Sequence, residues 1–527
     1  MKNKIKIFMA SSMALLATGC TDLDVNTESM YQQHPNPSLN SLYITMRDCY
    51  GRRYMEANAF SSDEFTAVSF GNNWYDSGVY ARASLHNYMP DDATIDWYGV
   101  VSPGIVKANE ILANPDFAEM YPYARVMRAF FTFILMEHWG DTPILDPVVN
   151  TGNYIERKPR AEVARYIESE LLDVIPQLTE EVSEETYGTA TKWMAEALLA
   201  KIYINWAVYT STNVEDYDAA TAKNEKLDAC IAICDSIIKS GKFNLGSMPY
   251  MKKFSYDNGP HVEDFIYAIP YDNILAQGMQ YGRSHVYKDI KKLDPNYFGI
   301  KVSNSGGGYA VVTPECVSRF CLEGDERNYC IVGDTVHIYD PETLTPTTEV
   351  CLDSKGNPLV FTKNIKLVQD NDQTLNVGDD IEGYRQGYHS VKWFIQASDY
   401  NNGRNQSNDL PIFRYADILL MKAEALVRSG KASDAKPLFN EIRAYAKAPL
   451  LETDPTLDDL YDERGREFFD ENWRRNDMIR FGHFEDEFFP HMKSFSSARF
   501  DKTCRIFPIS TSMLNIHKND WKQNNGY

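Results

Sequence analysis

The strongest constraint on the fold is a long amphipathic stretch near the end of the chain. Residues 409–430 read DLPIFRYADILLMKAEALVRSG, and apolar side chains recur there at the spacing of one helix face. Asp409 and Pro411 are typical of a helix start, and Gly430 is typical of a left-handed helix end. Glu424 lies four residues before Arg428, which predicts an ion pair along the helix. The sequence therefore predicts a mostly buried helix with its own start and stop signals.

A second amphipathic helix follows almost at once. Its apolar face is formed by Ala435, Leu438, Phe439, Ile442 and Ala446. Two helices joined by so short a link form an antiparallel hairpin. The string RYADILLMKAEALVRSG, with the helix after it, resembles the C-terminal helical core of the SusD/RagB family, surface lipoproteins that bind nutrients for import.

Further stretches resemble the same family. YARVMRAFFTFILMEHWGDTPIL predicts a helix from Pro122 through Trp139 that ends at Gly140, and its Arg125 and Arg128 need acidic partners. LYDERGREFFDENWRRNDMIRFG resembles the family's charged helix, with Asn472 where glycine is usual; asparagine tolerates the same left-handed turn. The C-terminal residues also match, so the resemblance runs from Cys20 to Tyr527. It implies a mostly α fold, a tetratricopeptide-like scaffold of helical hairpins with an irregular, loop-rich second lobe.

Changes in sequence character along the chain predict its organisation. Residues 39–242 carry repeated helical patterns, including a helix from Leu227 to Ser240 that Gly241 ends. Residues 243–408 are rich in Gly, Asn, Asp and aromatic residues, with short strand-like runs at 265–269, 335–339 and 359–361. Helical patterns return over 409–527. The irregular lobe is thus inserted between helices, and we expect the lobes to form one folding unit.

The N-terminal residues predict export and anchoring. Residues 1–19 combine a basic start with an apolar run too short to span a membrane, which is typical of a signal peptide. Leu16-Ala17-Thr18-Gly19-Cys20 resembles a bacterial lipobox, so Cys20 is the predicted lipidation site; the alternative is an ordinary signal peptide with a coincidental cysteine. Residues 20–38 form a polar tether. Asp22 and Asp24 resemble the signal that directs such lipoproteins to the outside of the outer membrane, although an acidic linker would look the same.

The charge balance excludes some partners. The chain has 53 basic and 74 acidic residues, a formal net charge of -21, which disfavours nucleic acid and anionic lipid surfaces. Nine cysteines include Cys20, and the irregular spacing of the other eight predicts mostly free, buried thiols.

Catalytic and metal-binding motifs are missing from the sequence. It contains no His-Glu-x-x-His, phosphate-binding loop, GxSxG elbow or dinucleotide fingerprint, so we expect neither catalysis nor a cofactor. The acidic pairs Asp63-Glu64 and Asp91-Asp92 are interpreted as solvated loop carboxylates. Asp370 to Asp380 has Leu375 where a calcium loop requires glycine, which excludes an EF-hand; a surface calcium held by another arrangement stays an alternative that no motif supports.

Two loop-rich segments combine aromatic residues with Asn, Gln and Arg. A sugar ring has flat C–H faces and a rim of hydroxyls, which suits an aromatic platform beside amide and guanidinium groups. The first segment also contains Tyr80 and supplies the candidate ligand residues Trp74, Tyr75 and Arg82, and Trp97 follows it in sequence as a further candidate. The second also contains Gln280 and supplies the candidates Tyr281, Arg283, Tyr297 and Tyr309. The alternative for each aromatic residue is ordinary packing in the lobe.

The resemblance implies a surface-exposed outer-membrane lipoprotein that binds oligosaccharide and delivers it to a SusC-like TonB-dependent transporter. Its ligand cleft is expected between the first loop segment and the irregular lobe. Three alternatives stay open: a peptide-binding member of the family, a lipid-anchored glycoside hydrolase, and a helical scaffold that binds no small molecule. A glycosidase needs only two carboxylates beside the scissile bond, so missing motifs do not exclude one.

Overall fold

A computed structural model describes residues 38–69, 78–145, 155–369, 375–376, 385–489, 492–517 and 520–527. The predicted signal peptide, Cys20 and nearly all of the tether lie outside these residues. So do Trp74, Tyr75 and all of the Asp370 to Asp380 stretch except residues 375–376.

The α-helices are listed here in chain order: α1 (Leu39–Cys49), α2 (Met55–Phe60), α3 (Val79–Ser84), α4 (Tyr98–Leu112), α5 (Tyr121–Trp139), α6 (Arg160–Val174), α7 (Lys192–Ile204), α8 (Trp206–Tyr209), α9 (Leu227–Ser240), α10 (Pro314–Arg319), α11 (Tyr415–Arg428), α12 (Ala432–Tyr445), α13 (Leu457–Glu467), α14 (Arg474–Phe481) and α15 (Thr511–Ile516). A π-helical turn, Tyr50–Tyr54, joins α1 to α2. The prediction of a mostly helical fold is confirmed.

The long helices pack in one continuous row. Helix α1 packs on α4, α4 on α5, α5 on α6 and α6 on α7. The row continues from α7 through α9 and α11 to α12. Helices α9 and α11 are therefore neighbours in space although the irregular residues 243–408 separate them in sequence.

The strands are short and pair two by two: β1 (Phe65–Ala67) with β3 (Ala310–Val312), β2 (Phe265–Ile269) with β12 (Leu410–Arg414), β4 (Ile331–Val332) with β11 (His389–Ser390), β5 (Asp334–Thr335) with β8 (Val360–Phe361), β6 (His337–Tyr339) with β7 (Pro346–Val350), and β9 (Val368–Gln369) with β10 (Leu375–Asn376). All six pairings are antiparallel. The β1–β3 pair joins the N-terminal helices to the irregular lobe.

The predicted start of the helix at residue 409 is wrong. Residues 410–414 form β12, and α11 begins only at Tyr415 with Arg414 as its N-cap residue. The run Leu-Pro-Ile-Phe-Arg is buried throughout and pairs with β2, which outweighs the start signals of Asp409 and Pro411. The end is as predicted: Gly430 has a φ of +73°, and Arg428 pairs with Glu424 at 2.8 Å.

Helix α5 shows why arginines can lie on an apolar helix. Arg125 and Arg128 both pair with Glu170 of α6, at 2.7 and 2.6 Å, so their predicted need for acidic partners is confirmed. Gly140 ends the helix with a φ of +74°. These pairs fasten α5 to α6.

The predicted charged helix near the C-terminus is two helices, α13 and α14, separated by residues 468–473. The break comes where Asp470 and Asn472 adopt positive φ angles of 63° and 66°. Arg464 of α13 pairs with Asp417 and Asp477, each at 2.8 Å. Arg480 of α14 pairs with Asp477 at 2.6 Å. Buried ion pairs thus hold α11, α13 and α14 together.

The cysteines follow the prediction of free thiols. Seven of the eight cysteines in the described residues are buried, Cys321 is exposed, and no disulfide joins any of them. Within the same residues, no helix is long and apolar enough to cross a membrane.

Candidate functional site

A cavity of about 350 Å³ lies where the N-terminal helices meet the irregular lobe. We call it the Tyr309 cavity. The residues around it are mostly polar or charged: Arg52, Tyr80, Gln280, Arg283, Ser284, Lys288, Gly306, Gly307, Tyr309 and Arg404. Its volume is near the small end of the roughly 300–1,000 Å³ typical of ligand pockets, so it suits a short segment of a ligand.

Tyr309 is positioned by the β1–β3 pair. It directly precedes β3, and its carbonyl oxygen accepts a hydrogen bond of 2.9 Å from the amide of Val68, which follows β1. Tyr80 comes from α3 on the N-terminal side, and the two ring centroids lie 5.0 Å apart. The two segments that the sequence offered as ligand-binding loops therefore meet at these two rings.

Glu56 of α2 lies beneath the two tyrosines. Its Oε1 accepts hydrogen bonds from the Tyr309 hydroxyl at 2.9 Å and from Nε of Arg52 at 3.1 Å. The Tyr80 hydroxyl contacts the same carboxylate at 3.4 Å. Burial, and then the Glu56 charge, raise the pKa of Tyr309 well above its usual value, so the hydroxyl stays protonated as a donor.

Gly306 and Gly307, from a run of three glycines, line another part of the cavity wall. The amide of Gly307 donates to the carbonyl of Arg283 at 2.8 Å, so the chain at 306–308 runs directly against residues 283–288. A Cβ on Gly306 would overlap the backbone carbonyls of Val286 and Tyr287. Only glycine allows this close approach, which holds Arg283 and Lys288 at the cavity wall.

The charged lining is held in place by backbone contacts. Nε of Arg283 donates to the carbonyl of Ser305 at 2.7 Å, and its guanidinium lies over the Tyr400 ring at 5.7 Å from the centroid. Burial, and then the charge of Arg404, lower the pKa of Arg283. Burial and the charge of Arg283 lower the pKa of Lys288 in the same way. These cations belong to the lining of the same cavity and repel one another.

Comparison with known proteins identifies the family. Residues 263–527 match the model described as "SusD family", and residues 23–204 match the model described as "Starch-binding associating with outer membrane". The chain is 36% identical over 419 residues to the SusD-like protein P38 of Formosa agariphila, which covers 75% of this chain and 74% of that relative. This chain belongs to the SusD family.

Other relatives and solved structures agree with this assignment. The starch-binding protein SusD of Bacteroides thetaiotaomicron is 24% identical over 444 residues, 76% of this chain and 72% of that protein. A laminarin binding SusD-like protein has the same fold, with a TM-score of 0.68, 20% identity and coverage of 93% and 98% of the two chains. Surface glycan-binding protein A from Bacteroides thetaiotaomicron, solved in complex with laminarihexaose, has a TM-score of 0.67 and 19% identity. The match covers 92% of this chain and 98% of that chain.

Two of the ligand residues predicted for this SusD family protein line the cavity, namely Arg283 and Tyr309. Three others lie in the interior: Trp97, Tyr281 and Tyr297 are at most 1% exposed. None of the three lines the Tyr309 cavity, so their predicted place at the ligand site is corrected: in this structure they are packing residues.

Each of the three interior residues has a packing role. Trp97 packs edge-on against Trp139, with ring centroids 4.6 Å apart. The Tyr281 hydroxyl donates to Asp470 at 2.6 Å. The Tyr297 hydroxyl accepts from the amide of Tyr287 at 3.0 Å. For these residues the alternative of ordinary packing describes the structure.

Arg82 does not line the cavity. Its Nε donates to the carboxylate of Asp92 at 2.9 Å, so the guanidinium fixes the turn after α3. The interpretation of the nearby acidic pairs as solvated is wrong for Asp63, Glu64 and Asp92, which are 3%, 1% and 5% exposed. Asp63 pairs with Arg474 at 2.7 Å, and burial raises the pKa of Glu64 well above its usual value. Trp74 and Tyr75 lie outside the described residues.

Sequence reasoning missed most of the cationic lining. Arg52 lies on a helical turn, and Lys288 and Arg404 lie in irregular segments, so no periodicity marks them. The one local signal was the Gly306-Gly307-Gly308 run immediately before Tyr309, because consecutive glycines indicate a close backbone approach.

Proposed function

We propose that this SusD family protein binds glycan in the Tyr309 cavity, without catalysing a reaction. The observation that carries the proposal is the convergence of Tyr80 and Tyr309 with the side chains of Gln280 and Arg283. Tyrosine rings offer apolar contact to the C–H faces of a sugar, while amide and guanidinium groups hydrogen-bond its hydroxyls. The names of the relatives support the ligand class, since they bind starch or laminarin or were solved with laminarihexaose.

Binding fits the lining better than hydrolysis does. A glycosidase places two carboxylates beside the scissile bond. Among the described residues that line the cavity, none is Asp or Glu, and the carboxylate beneath its tyrosines, Glu56, is 1% exposed and bonded to Tyr309 and Arg52. Glu56 is therefore placed to orient side chains.

The proposal includes a location and a partner. Cys20 carries the lipid anchor, the protein faces the cell exterior, and a SusC-like TonB-dependent transporter receives the glycan. The lipobox-like residues 16–20 and the family description "associating with outer membrane" support the location. Membership of the SusD family supports the partner.

The binding experiment uses the full-length protein purified in mild detergent. It is screened against neutral and anionic oligosaccharides and against peptides, and every hit is measured by isothermal titration calorimetry. Loss of one hydrogen bond in Gln280→Ala should weaken glycan binding by about 2- to 10-fold. Gln177→Ala is the matched control, because Gln177 is exposed on another face and does not line the cavity. Binding of peptides alone, or turnover of a glycan, would contradict the proposal.

The anchor and the partner are tested on cells. Cys20→Ala should abolish labelling with a radioactive fatty acid, because the diacylglyceryl group needs that thiol. External protease should degrade the wild-type protein on intact cells. Affinity purification should recover a large outer-membrane barrel with it. Retained labelling, full protection, or repeated recovery of the protein alone at low salt would each contradict the corresponding part of the proposal.

A further inference from the structure

The Tyr309 cavity concentrates positive charge in an acidic protein. Four of its lining residues are cations, Arg52, Arg283, Lys288 and Arg404, whereas the whole chain carries a formal charge of -21. In a chain with this excess of acidic residues, a random patch of surface is expected to carry negative charge, whereas the charged residues of this lining are all positive. It therefore needs a specific explanation.

Only one of the four cations is neutralised by a carboxylate. Arg52 pairs with Glu56 at 3.1 Å. Arg283, Lys288 and Arg404 make no ion pair with any carboxylate in the part of the chain that the structure describes. The acid next to Lys288 in sequence, Asp289, pairs instead with Lys292 at 3.0 Å. Three positive charges at one cavity thus lack a direct carboxylate partner among the residues that the structure describes.

Several enclosed cations elsewhere in the described residues are paired closely with carboxylates. Arg327 pairs with Asp325, and Lys253 pairs with Asp264, each at 2.8 Å. Holding like charges together without such partners costs free energy, which burial increases. The glycine wall at 306–308 and the Ser305 carbonyl nevertheless keep Arg283 beside Lys288. Such an arrangement is typical of a binding site for an anion.

We infer that the glycan held in the Tyr309 cavity is anionic, a sugar unit that bears a carboxylate or a sulfate. This inference rests on the proposed glycan binding and specifies its chemical class. Arginine guanidinium groups bind planar or tetrahedral oxyanions through paired N–H donors, and Lys288 adds a point charge. Tyr80, Tyr309 and Gln280 contact the rest of the ring, which favours a charged sugar over a free anion.

The test compares ligands that differ in charge. A glycan microarray with neutral, uronate-containing and sulfated polysaccharides is probed with the full-length protein in mild detergent. Isothermal titration calorimetry then compares each hit with its neutral counterpart of equal length, namely the carboxyl-reduced or desulfated oligosaccharide. We expect the anionic form to bind at least about tenfold more tightly near 20 mM salt, and this advantage to shrink near 300 mM salt because of screening.

Matched variants assign the effect to this cavity. The double variant Lys288→Gln/Arg404→Gln retains polar side chains but removes two charges, and should bring the affinity for the anionic glycan to within about threefold of the neutral form. Lys291→Gln is the control, because Lys291 is exposed, lies three residues from Lys288 and does not line the cavity. Separate titrations with the uronate and the sulfated ligand show which anion is recognised.

Each outcome decides the inference. A charge preference that the double variant removes and Lys291→Gln retains supports it. Equal binding of neutral and anionic forms, or a preference that the double variant keeps, overturns it while leaving glycan binding intact. Binding of acidic peptides without binding of any glycan, or no glycan binding at all, overturns both the inference and the proposed function.

Discussion

The hydroxyl of Tyr309 donates a hydrogen bond of 2.9 Å to Oε1 of Glu56, and the two residues are 253 positions apart in the sequence. This contact ties the irregular lobe to helix α2 at the floor of the cavity. It also turns the polar end of Tyr309 into the protein, so we expect the ring, and not the hydroxyl, to contact a ligand.

Tyr309→Phe should therefore lower stability without lowering affinity. Loss of a hydrogen bond to a carboxylate should reduce the free energy of unfolding by about 1–3 kcal/mol, measured by urea denaturation. The ring remains, so glycan affinity by calorimetry should stay within about twofold, whereas Tyr309→Ala should weaken binding about tenfold. A large loss of affinity in Tyr309→Phe would show that the hydroxyl contacts the ligand.

Arg474→Met should destabilise the protein strongly. Arg474 pairs with Asp63 at 2.7 Å, and both side chains are at most 4% exposed. Breaking a buried ion pair leaves Asp63 with Arg319 and the Tyr461 hydroxyl and should cost about 3–5 kcal/mol in urea denaturation. Lys239→Met is the control: Lys239 is 75% exposed, and loss of its pair with Asp235 should cost less than about 1 kcal/mol. Equal effects of the two substitutions would refute the role assigned to Arg474.

Gly306→Ala should disturb the cavity wall. Its Cβ would meet the carbonyl oxygens of Val286 and Tyr287, which belong to the backbone and cannot rotate away. We expect both a lower unfolding midpoint and weaker glycan binding, because Arg283 and Lys288 would shift. The control is Gly99→Ala in α4, where a Cβ meets nothing within 4 Å and should add about 0.5–1 kcal/mol of stability. Unchanged affinity in a folded Gly306→Ala protein would contradict the positioning role.

Asp409 should make stability fall as pH rises towards neutral. Burial raises its pKa to about 7, although the amide of Tyr271 and the hydroxyl of Tyr187 donate to it. The folded state therefore holds a proton that the unfolded state has released, and the resulting stabilisation is complete below pH 4 and lost as pH rises through about 7.

Asp409→Asn tests this dependence. Relative to the variant, the wild-type protein should lose up to about 1.4 kcal/mol per pH unit between pH 4 and 7, measured by urea denaturation at several pH values. The same substitution at the exposed Asp434 controls for the loss of a negative charge. A constant difference between wild type and Asp409→Asn across this range would refute a raised pKa.

The helical part of the fold could be predicted because its apolar residues recur at a regular spacing. The spacing of apolar residues and the glycine at position 241 give helix α9 the predicted bounds, Leu227–Ser240. The same reasoning failed at residues 410–414, because pairing with the distant β2 decides that structure and no local signal reports it. Asp63 was misread for a similar reason, since its partner Arg474 lies 411 residues away.

The site was only partly predictable. Tyr281 and Tyr309 both lie in an irregular segment, and the sequence treats them alike, yet the Tyr281 hydroxyl bonds to the interior Asp470 while Tyr309 lines the cavity. The difference depends on which chain segment covers each ring. In loops without periodicity, the residues next to a tyrosine do not indicate which distant segment covers it. Arg404 was missed because an exposed arginine in a polar loop usually has no special role.

A crystal structure of the protein with an oligosaccharide identified by the binding screen would show where the ligand lies. We predict a sugar unit in the Tyr309 cavity, in contact with the Tyr309 ring and within hydrogen-bond distance of Gln280 or Arg283. A glycan bound at another surface while this cavity holds none, for example in the cavity between Arg428, Lys502 and Arg505, would contradict it.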